Sequence, residues 1–226
     1  MKLKAIRAGR IKDLSGANLS RANLAGANLS GALLDGADLS EANLVGANLF
    51  DAYLYDVNLS GADLSGANLS ETDLTGAHLF GAILREANLF GAKLNGTDLE
   101  SADLSDADLR AQLDHTYLYK ADLRRANLSE AYIASVILWC ANLTGAKLDG
   151  AYVRNTEFEW VELEGPELLG VESCYGGTVP LRLAPWLTHR LEFDTLKMVD
   201  DTDENYEPPH WAVVQQAGDE LRRRGQ

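Results

Sequence analysis

The chain holds few side chains whose types and spacing could do chemistry. Its four histidines are scattered, and its two cysteines, Cys140 and Cys174, have no metal-ligand spacing around them. No nucleophile elbow, phosphate-binding loop or His-Glu metal motif is present. Carboxylates recur at regular intervals rather than around a pocket that could tune a general acid or base. We therefore expect no enzyme activity, no metal site and no cofactor.

The overall charge excludes two classes of partner. The chain has 226 residues, 20 Lys plus Arg and 34 Asp plus Glu, and a formal net charge of −14. Direct binding to nucleic acid or to an anionic membrane surface requires a basic face, so neither is expected. Hydrophobic residues make up 46% of the sequence, enough for a core. Without an apolar segment behind the basic start at 1–7, and with two isolated cysteines, the chain is expected to be cytoplasmic.

The strongest pattern is a period of five residues. From Leu14 to Leu109, Leu occupies every fifth position, and a small residue, nearly always Ala, stands two positions before it. One residue is missing at Arg110, after which aliphatic or aromatic residues continue the period from Leu113 to Leu163. The exceptions at the position two before the Leu are Lys12, Val57, Thr72 and Thr97.

A period of five excludes the two ordinary regular structures. In a helix, successive leucines would lie about 140° apart and would form no stripe. In a flat strand, an odd period would move the Leu to the opposite face at every repeat. The chain must therefore turn once per repeat, with the Leu and the small residue both pointing inward. A coil of short sides, stacked at about 4.8 Å per layer, meets that requirement.

The repeat unit, as in Ala27-Asn28-Leu29-Ser30-Gly31, resembles the motif Ala-(Asn/Asp)-Leu-X-X of the pentapeptide-repeat family. The resemblance covers residues 12–165. It implies an all-β fold, a right-handed quadrilateral β-solenoid of about 31 pentapeptides in about 7.75 coils.

Outside the repeats, residues 1–11 are expected to cap one end of the solenoid. Residues 166–226 lack the period and are expected to form a C-terminal extension with a short helix after Pro209. The extension is predicted to dock on the solenoid or to lie at a dimer interface. The missing residue at Arg110 has two interpretations, a kink that acts as a docking notch or a deletion absorbed in a turn.

Acidic residues are concentrated in the middle of the repeats. Residues 51–108 hold eleven acidic side chains against only Arg85 and Lys93. One interpretation is that acidic ladders keep a regular sheet soluble and unstacked. The other is a partner-binding acidic face, for which the candidate residues are Asp63, Glu71, Asp73, Glu86, Asp98, Glu100, Asp103, Asp106 and Asp108.

The resemblance makes the second interpretation more specific. Some pentapeptide-repeat proteins are similar to B-form DNA in width, shape and charge, bind type II topoisomerases, and protect them from quinolones or peptide toxins. Such proteins form end-to-end dimers through a C-terminal helical element. The resemblance therefore implies a non-catalytic DNA mimic with DNA gyrase or topoisomerase IV as partner. The alternative is a structural or regulatory scaffold for an unrelated protein partner.

An apolar stripe near the end of the repeats is a second candidate surface. With the missing residue allowed for, Leu79, Leu99, Leu118, Leu138 and Phe158 should stack on one side of the coil. The outward residues there, with two from the adjoining side, are Phe80, Tyr117, Tyr119, Tyr132, Ile137, Trp139, Tyr152 and Trp160. A bare patch of several hundred Å² is unusual on a monomer. We expect the extension to cover it, through Leu181, Leu183, Trp186, Leu187 and Trp211, with homodimerisation as the alternative.

Overall fold

The computed structural model describes residues 3–158, 161–162, 173–175, 178–180 and 197–199. It contains one helix, α1 (Leu3–Arg7), and five short strands, which are β1 (Tyr132–Ala134), β2 (Tyr152–Arg154), β3 (Ser173–Tyr175), β4 (Thr178–Pro180) and β5 (Lys197–Val199). Elsewhere between 13 and 162 the backbone pairs through isolated parallel bridges, one in each repeat. Among these residues, no helix has the length and apolar character needed to cross a membrane.

The bridges show a four-sided coil. Asn28 pairs with Asn48, twenty residues later, and the bridge residues five positions before and after it pair in the same way. Twenty residues with four bridges make a turn with four sides, as expected of a β-solenoid. We number the sides 1 to 4 in chain order, and the central residues of their first repeats are Leu14, Leu19, Leu24 and Leu29. We number coils 1 to 8 by their central residue on side 1, which are Leu14, Leu34, Leu54, Leu74, Leu94, Leu113, Ile133 and Val153.

Two residues from each repeat fill the interior. The central residue is buried in every described repeat, and the small residue two positions earlier is buried from Ala27 onward. With only five residues per side, a large side chain must alternate with a small one to avoid voids. Burying each Leu contributes about 1.5–3 kcal/mol. The period therefore specifies a continuous apolar column along the axis of the coil.

Most corners of the coil have the features of a type II β-turn. At one such corner the Ala32 N–H donates to the Leu29 carbonyl at 3.0 Å, and Gly31 between them has a φ of 60°. A positive φ at the third residue of a type II turn favours glycine. Asp51 and Glu71, at equivalent corners, have φ of 55° and 60°. An L-residue in this region costs roughly 1–2 kcal/mol, so stacking of the coils must hold these corners in place.

The inward threonines, which depart from the repeat pattern, bind backbone carbonyls. Thr97 donates its hydroxyl to the Leu74 carbonyl at 2.8 Å, across one coil boundary. Thr116 does the same to the Leu94 carbonyl at 2.7 Å. Thr72 instead donates its hydroxyl to the Leu69 carbonyl of the preceding repeat at 2.6 Å. A buried hydroxyl without a partner would cost free energy, so these hydrogen bonds explain why Thr is accommodated inside the coil.

The missing residue at Arg110 changes the register at one corner only. Lys93 pairs with Gln112, a separation of nineteen residues, and Gln112 then pairs with Tyr132, which restores the separation of twenty. The four columns of central residues therefore continue without a break. These bridges agree with the interpretation that a turn absorbs the deletion.

The N-terminal helix ends in a Schellman motif. The Arg10 N–H donates to the Ala5 carbonyl at 3.0 Å, and the Gly9 N–H donates to the Ile6 carbonyl at 2.8 Å. Gly9 has a φ of 66°, the left-handed conformation that this motif requires. The motif turns the chain sharply from the helix into the first coil.

The same helix joins the ladder of side 4. The Asn28 N–H donates to the Arg7 carbonyl at 2.9 Å, as the Asn48 N–H does to the Ala27 carbonyl one coil later. Ile6 is fully buried with the core. Backbone and side chain of α1 thus both contact coil 1. The domain boundaries 1–11, 12–165 and 166–226 stay predictions.

At the other end, side 1 extends past the repeats. Strands β1, β2 and β3 form a parallel sheet in that order, with Ile133 opposite Val153 and Val153 opposite Cys174. Strand β3 therefore adds one layer beyond residue 165. Strands β4 and β5 pair in parallel with each other. The predicted helix after Pro209 lies outside the described residues.

We predict that Gly9→Ala destabilises the fold more than Gly16→Ala. A methyl group on Gly9 would lie 2.7 Å from the Asn28 carbonyl oxygen, whereas one on Gly16 would meet no atom within 4 Å. Both residues have a positive φ, so Gly16→Ala should lower the free energy of unfolding by about 1 kcal/mol, and Gly9→Ala by clearly more. Urea denaturation of the two variants measures the difference, and equal losses would contradict the docking of α1.

Candidate interaction surface

The nine candidate carboxylates do not form one face. The bridges and corners distribute them over all four sides of coils 3 to 5. Asp73 lies on side 1, Asp98 and Glu100 lie on side 2, Asp63, Glu86, Asp103 and Asp106 lie on side 3 or its corner, and Glu71 and Asp108 lie on side 4 or its corner. A partner that contacts one side of the rod would therefore meet only some of them.

Arginines neutralise two of the four acidic residues of side 3. Arg85 donates to the Asp103 carboxylate, and Arg125 binds the Asp106 carboxylate through Nε and Nη2. Hydrogen bonding to Arg125 holds the pKa of Asp106 below its ordinary value. Partial burial alone would raise the pKa of Asp103, but hydrogen bonds from Ser105 and Arg85 outweigh that effect and lower its pKa.

Two further candidates are also paired with cations. The Arg110 Nε and Nη2 atoms donate to the Asp108 carboxylate at 2.9 and 2.6 Å and hold the pKa of Asp108 below its ordinary value. The Arg110 guanidinium also lies 4.7 Å from the centroid of the Phe90 ring. On side 1, Lys93 Nζ lies 3.4 Å from the Asp73 carboxylate. Asp73, Asp103, Asp106 and Asp108 are therefore ion-paired.

A second group of carboxylates keeps its charge unpaired. Among the described residues, no ion pair involves Asp51, Asp56, Asp63, Glu71 or Glu86. Asp51 and Glu71 are stacked at the corner where side 4 meets side 1, and Asp56 lies at the opposite edge of side 1. The Glu71 carboxylate occupies the space that a side chain at Gly91, one coil later, would need, because a methyl group there would lie 2.5 Å from Glu71 Oε1. The unpaired charge is thus strongest along the two edges of side 1.

The predicted apolar stripe is assembled on the expected sides. Tyr117 bridges to Ile137 on side 2, and Tyr132 stacks on Tyr152 on side 1 with ring centroids 5.0 Å apart and planes 6° apart. Phe80 and Tyr132 are exposed, whereas Tyr117, Tyr119, Ile137 and Tyr152 are half-buried. The bridges along side 2 place these residues one layer apart.

Trp139 differs from its outward neighbours. It follows Leu138 in an outward position, yet its residue surface is only 2% exposed, and its Nε1 has no hydrogen-bond partner among the described residues. Its expected cover, residues 166–226, lies mostly outside the described residues, as does Trp160. Docking of the extension on the stripe therefore stays a prediction.

One exposed apolar cluster was missed from the sequence. It consists of Leu33, Phe50, Tyr53 and Tyr55, in coils 2 and 3. The available signal was the repeat Tyr53-Leu54-Tyr55, which places an aromatic residue at both outward positions of side 1. The same pattern at Tyr117-Leu118-Tyr119 was recognised because other aromatic residues surround it in the sequence.

Within the described part of the chain, no group of His, Cys, Asp and Glu could hold a metal ion.

We predict that the paired carboxylates make stability fall in acid. The pKa values of Asp73, Asp103, Asp106 and Asp108 are lowered in the folded state. Their contribution is complete above the unfolded pKa of about 4 and is lost as the pH falls through the folded values.

Thermal melting at pH 7 and pH 3 measures this loss. Asp108→Asn should lower the melting temperature at pH 7 and reduce the drop on acidification. The control is Asp149→Asn, because Asp149 makes no ion pair among the described residues. If both variants show the drop of the unmodified protein, the ion pairs do not contribute as described.

We also predict that removal of residues 166–226 uncovers the apolar stripe. The truncated chain should bind a hydrophobic dye, and acrylamide should quench its tryptophan fluorescence more strongly than that of the full chain. Light scattering of the full chain separates docking within one molecule from dimerisation. A truncated chain that stays monomeric and binds no dye would show that the extension does not cover the stripe.

The comparisons with known proteins agree with this architecture. The family model described as "Pentapeptide repeats" matches the chain in eight copies, over residues 13–49, 52–89, 82–111, 110–150 and 126–165. No curated protein matches the chain.

Several solved structures are similar. HetL, a pentapeptide repeat protein involved in heterocyst differentiation regulation in the cyanobacterium Nostoc sp. strain PCC 7120, is 34% identical over 67% of this chain and 70% of its own, with a TM-score of 0.46. Rfr23 from the cyanobacterium Cyanothece 51142 is 30% identical over 46% and 82%, with a TM-score of 0.42. QnrB1, a plasmid-mediated fluoroquinolone resistance protein, is 18% identical over 92% and 96%, with a TM-score of 0.35. The repeats themselves decide the assignment: the chain belongs to the pentapeptide-repeat family.

Proposed function

We propose that the chain is a non-catalytic protein-binding rod that engages a type II topoisomerase, DNA gyrase or topoisomerase IV, by mimicking DNA. Pentapeptide repeat proteins are generally structural or binding proteins. Among the described residues, the short sides stack on one another, and catalysis generally requires a concave pocket that concentrates substrate and catalytic groups. Function must therefore reside in the pattern of charged and apolar side chains along the rod.

The linear charge density carries the proposal. Residues 51–108 have a net charge of −9. Arg110 and Arg125, which follow this section, pair with Asp108 and Asp106 inside it, so the net charge becomes −7 when these two arginines are included. At about 4.8 Å per layer, the section is about 14 Å long, so it carries one net negative charge per about 1.5–2 Å. B-form DNA carries one per about 1.7 Å. A protein groove built to neutralise DNA would therefore meet a similar charge per unit length.

Rigidity supports the same proposal. Every described repeat from 13 to 162 is held by parallel backbone hydrogen bonds to a neighbouring coil, so the backbone that carries the charges is ordered before binding. A preorganised ligand loses little conformational entropy on association. The alternative function is a scaffold for an unrelated protein, which would use the same surface without competing with DNA.

Displacement of DNA from gyrase distinguishes the two functions. We expect micromolar concentrations of the protein to displace a labelled DNA fragment from gyrase and to inhibit supercoiling, with both effects weakened by added salt. Neutralising the five unpaired carboxylates, as Asp51→Asn, Asp56→Asn, Asp63→Asn, Glu71→Gln and Glu86→Gln, should abolish both effects.

The control variant carries Asp13→Asn and Asp149→Asn, near the two ends of the solenoid, and should behave as the unmodified protein. Reversing Asp103 and Asp106 to Lys is a poorer test, because it would place like charges beside Arg85 and Arg125. If the unmodified protein leaves DNA bound to gyrase and supercoiling unchanged, topoisomerase mimicry is excluded in favour of the scaffold function.

A further inference from the structure

The largest concentration of exposed apolar side chains lies on coils 2 and 3. Leu33, Phe50, Tyr53 and Tyr55 are 39%, 45%, 50% and 53% exposed. They account for four of the nine large hydrophobic residues exposed in the described part of the chain. Single exposed apolar residues are ordinary on a soluble protein, but adjacent ones mark contact surfaces. We call these four residues the side 1 cluster.

The backbone fixes the cluster in place. Leu33 and Tyr53 are bridge partners on side 1, and the Leu34 N–H donates to the Tyr53 carbonyl at 2.8 Å. The Tyr55 N–H donates to Asp35 Oδ1 at 3.0 Å. Phe50 lies just before the corner that leads to Tyr53. The platform therefore exists before any partner binds, and its tyrosines have only two side-chain torsions to order.

Carboxylates surround this platform. Asp35 lies under Tyr55, Asp51 and Glu71 lie at the corner beside Tyr53, and Asp56 directly follows Tyr55. None of these four carboxylates makes an ion pair within the described residues, whereas Asp73, in the next coil of side 1, is paired with Lys93. An apolar centre with a charged rim is the arrangement of a protein-binding site.

From this arrangement we infer that the side 1 cluster is the docking site for a polypeptide segment in which Lys or Arg residues flank an aromatic or aliphatic anchor. The anchor packs on Tyr53 and Tyr55, and the cations face Asp35, Asp51, Asp56 and Glu71. This inference rests on the proposed protein-binding function, but it does not depend on the partner being a topoisomerase.

Charge complementarity selects this occupant over the others. Nucleic acid would be repelled by the rim. A second copy of the chain, docked through the same surface, would bring Asp51, Asp56 and Glu71 against like charges. The site is also distinct from the apolar stripe on coils 4 to 8, which has no comparable set of unpaired carboxylates among the described residues.

The test uses fluorescence anisotropy with two synthetic probes. The first is a labelled peptide in which Arg residues alternate with Leu around a central Trp, and the second has Glu in place of each Arg. We expect the full chain to bind the first peptide in a salt-sensitive manner and to ignore the second. Equal binding of both peptides would show a merely apolar surface and would overturn the inference.

Two variants locate the binding. Tyr53→Asn with Tyr55→Ser removes the anchor site, and Asp51→Asn with Asp56→Asn and Glu71→Gln removes three of the four rim charges. Each should weaken peptide binding by about tenfold. The fold should tolerate the first pair, because Asn28 and Ser30 occupy the equivalent positions around Leu29.

The matched controls lie on sides 3 and 4. Val45→Ser with Ile83→Asn removes exposed apolar surface on side 3, and Glu130→Gln with Asp149→Asn removes charge that makes no ion pair among the described residues of side 4. Both controls should bind the peptide as the unmodified chain does. If they weaken binding as much as the side 1 variants, attraction to the bulk negative charge explains the binding and the inference is wrong.

The gyrase assay separates this inference from the proposed function. If the unmodified chain displaces DNA from gyrase but does not bind the Arg-containing peptide, the topoisomerase function stands and the side 1 site is refuted. If the chain leaves gyrase unaffected but binds the Arg-containing peptide through side 1, the site stands and the topoisomerase function fails.

Discussion

The structure depends on the parallel backbone hydrogen bonds between successive coils. Each outward bridge residue exchanges two hydrogen bonds with the coil before it: the Asn48 N–H donates to the Ala27 carbonyl, and the Asn48 carbonyl accepts from the Leu29 N–H. The ladder fixes the coil length at twenty residues, because a longer or shorter side would shift every later bridge. The shortened corner at Arg110 shows where a change is tolerated, since a corner lies between two bridges.

The ladder separates the fold from the surface. Inside, the narrow coil accepts only a central Leu or similar residue and a small residue, and Thr is accommodated where its hydroxyl meets a backbone carbonyl. Outside, each repeat presents residues that pack only against the layers above and below. Charges and aromatic rings can therefore be placed along the rod without affecting the core, at intervals set by the layer spacing.

Sequence periodicity predicted a coil that turns once per repeat and its inward residues, and the family resemblance supplied the four sides from which the columns of outward residues follow. Together they placed Tyr117 with Ile137 and Tyr132 with Tyr152 correctly, because a fixed period converts sequence position into side and layer. They could not show that Arg125 reaches back to Asp106, because that contact depends on side-chain rotamers across a coil boundary. For the same reason the acidic surface seemed continuous in sequence, whereas arginines neutralise much of side 3 and leave the edges of side 1 charged. The burial of Trp139 also had no sequence signal, because its position predicts exposure.

Every assignment of a residue to a side and a layer requires that the register between successive coils stays constant. A distance between two spin labels tests that constancy most directly. Spin labels are attached to cysteines that replace Ser30 and Ser129, in a chain whose own cysteines are removed by Cys140→Ser and Cys174→Ser. The two labels would occupy the same outward position of side 4 in coils 1 and 6. Five layers separate them, so double electron–electron resonance should give one narrow distribution centred near about 24 Å. A broad distribution, or a separation several layers longer, would contradict a continuous ladder through the shortened corner and with it the placement of the charged and aromatic surfaces.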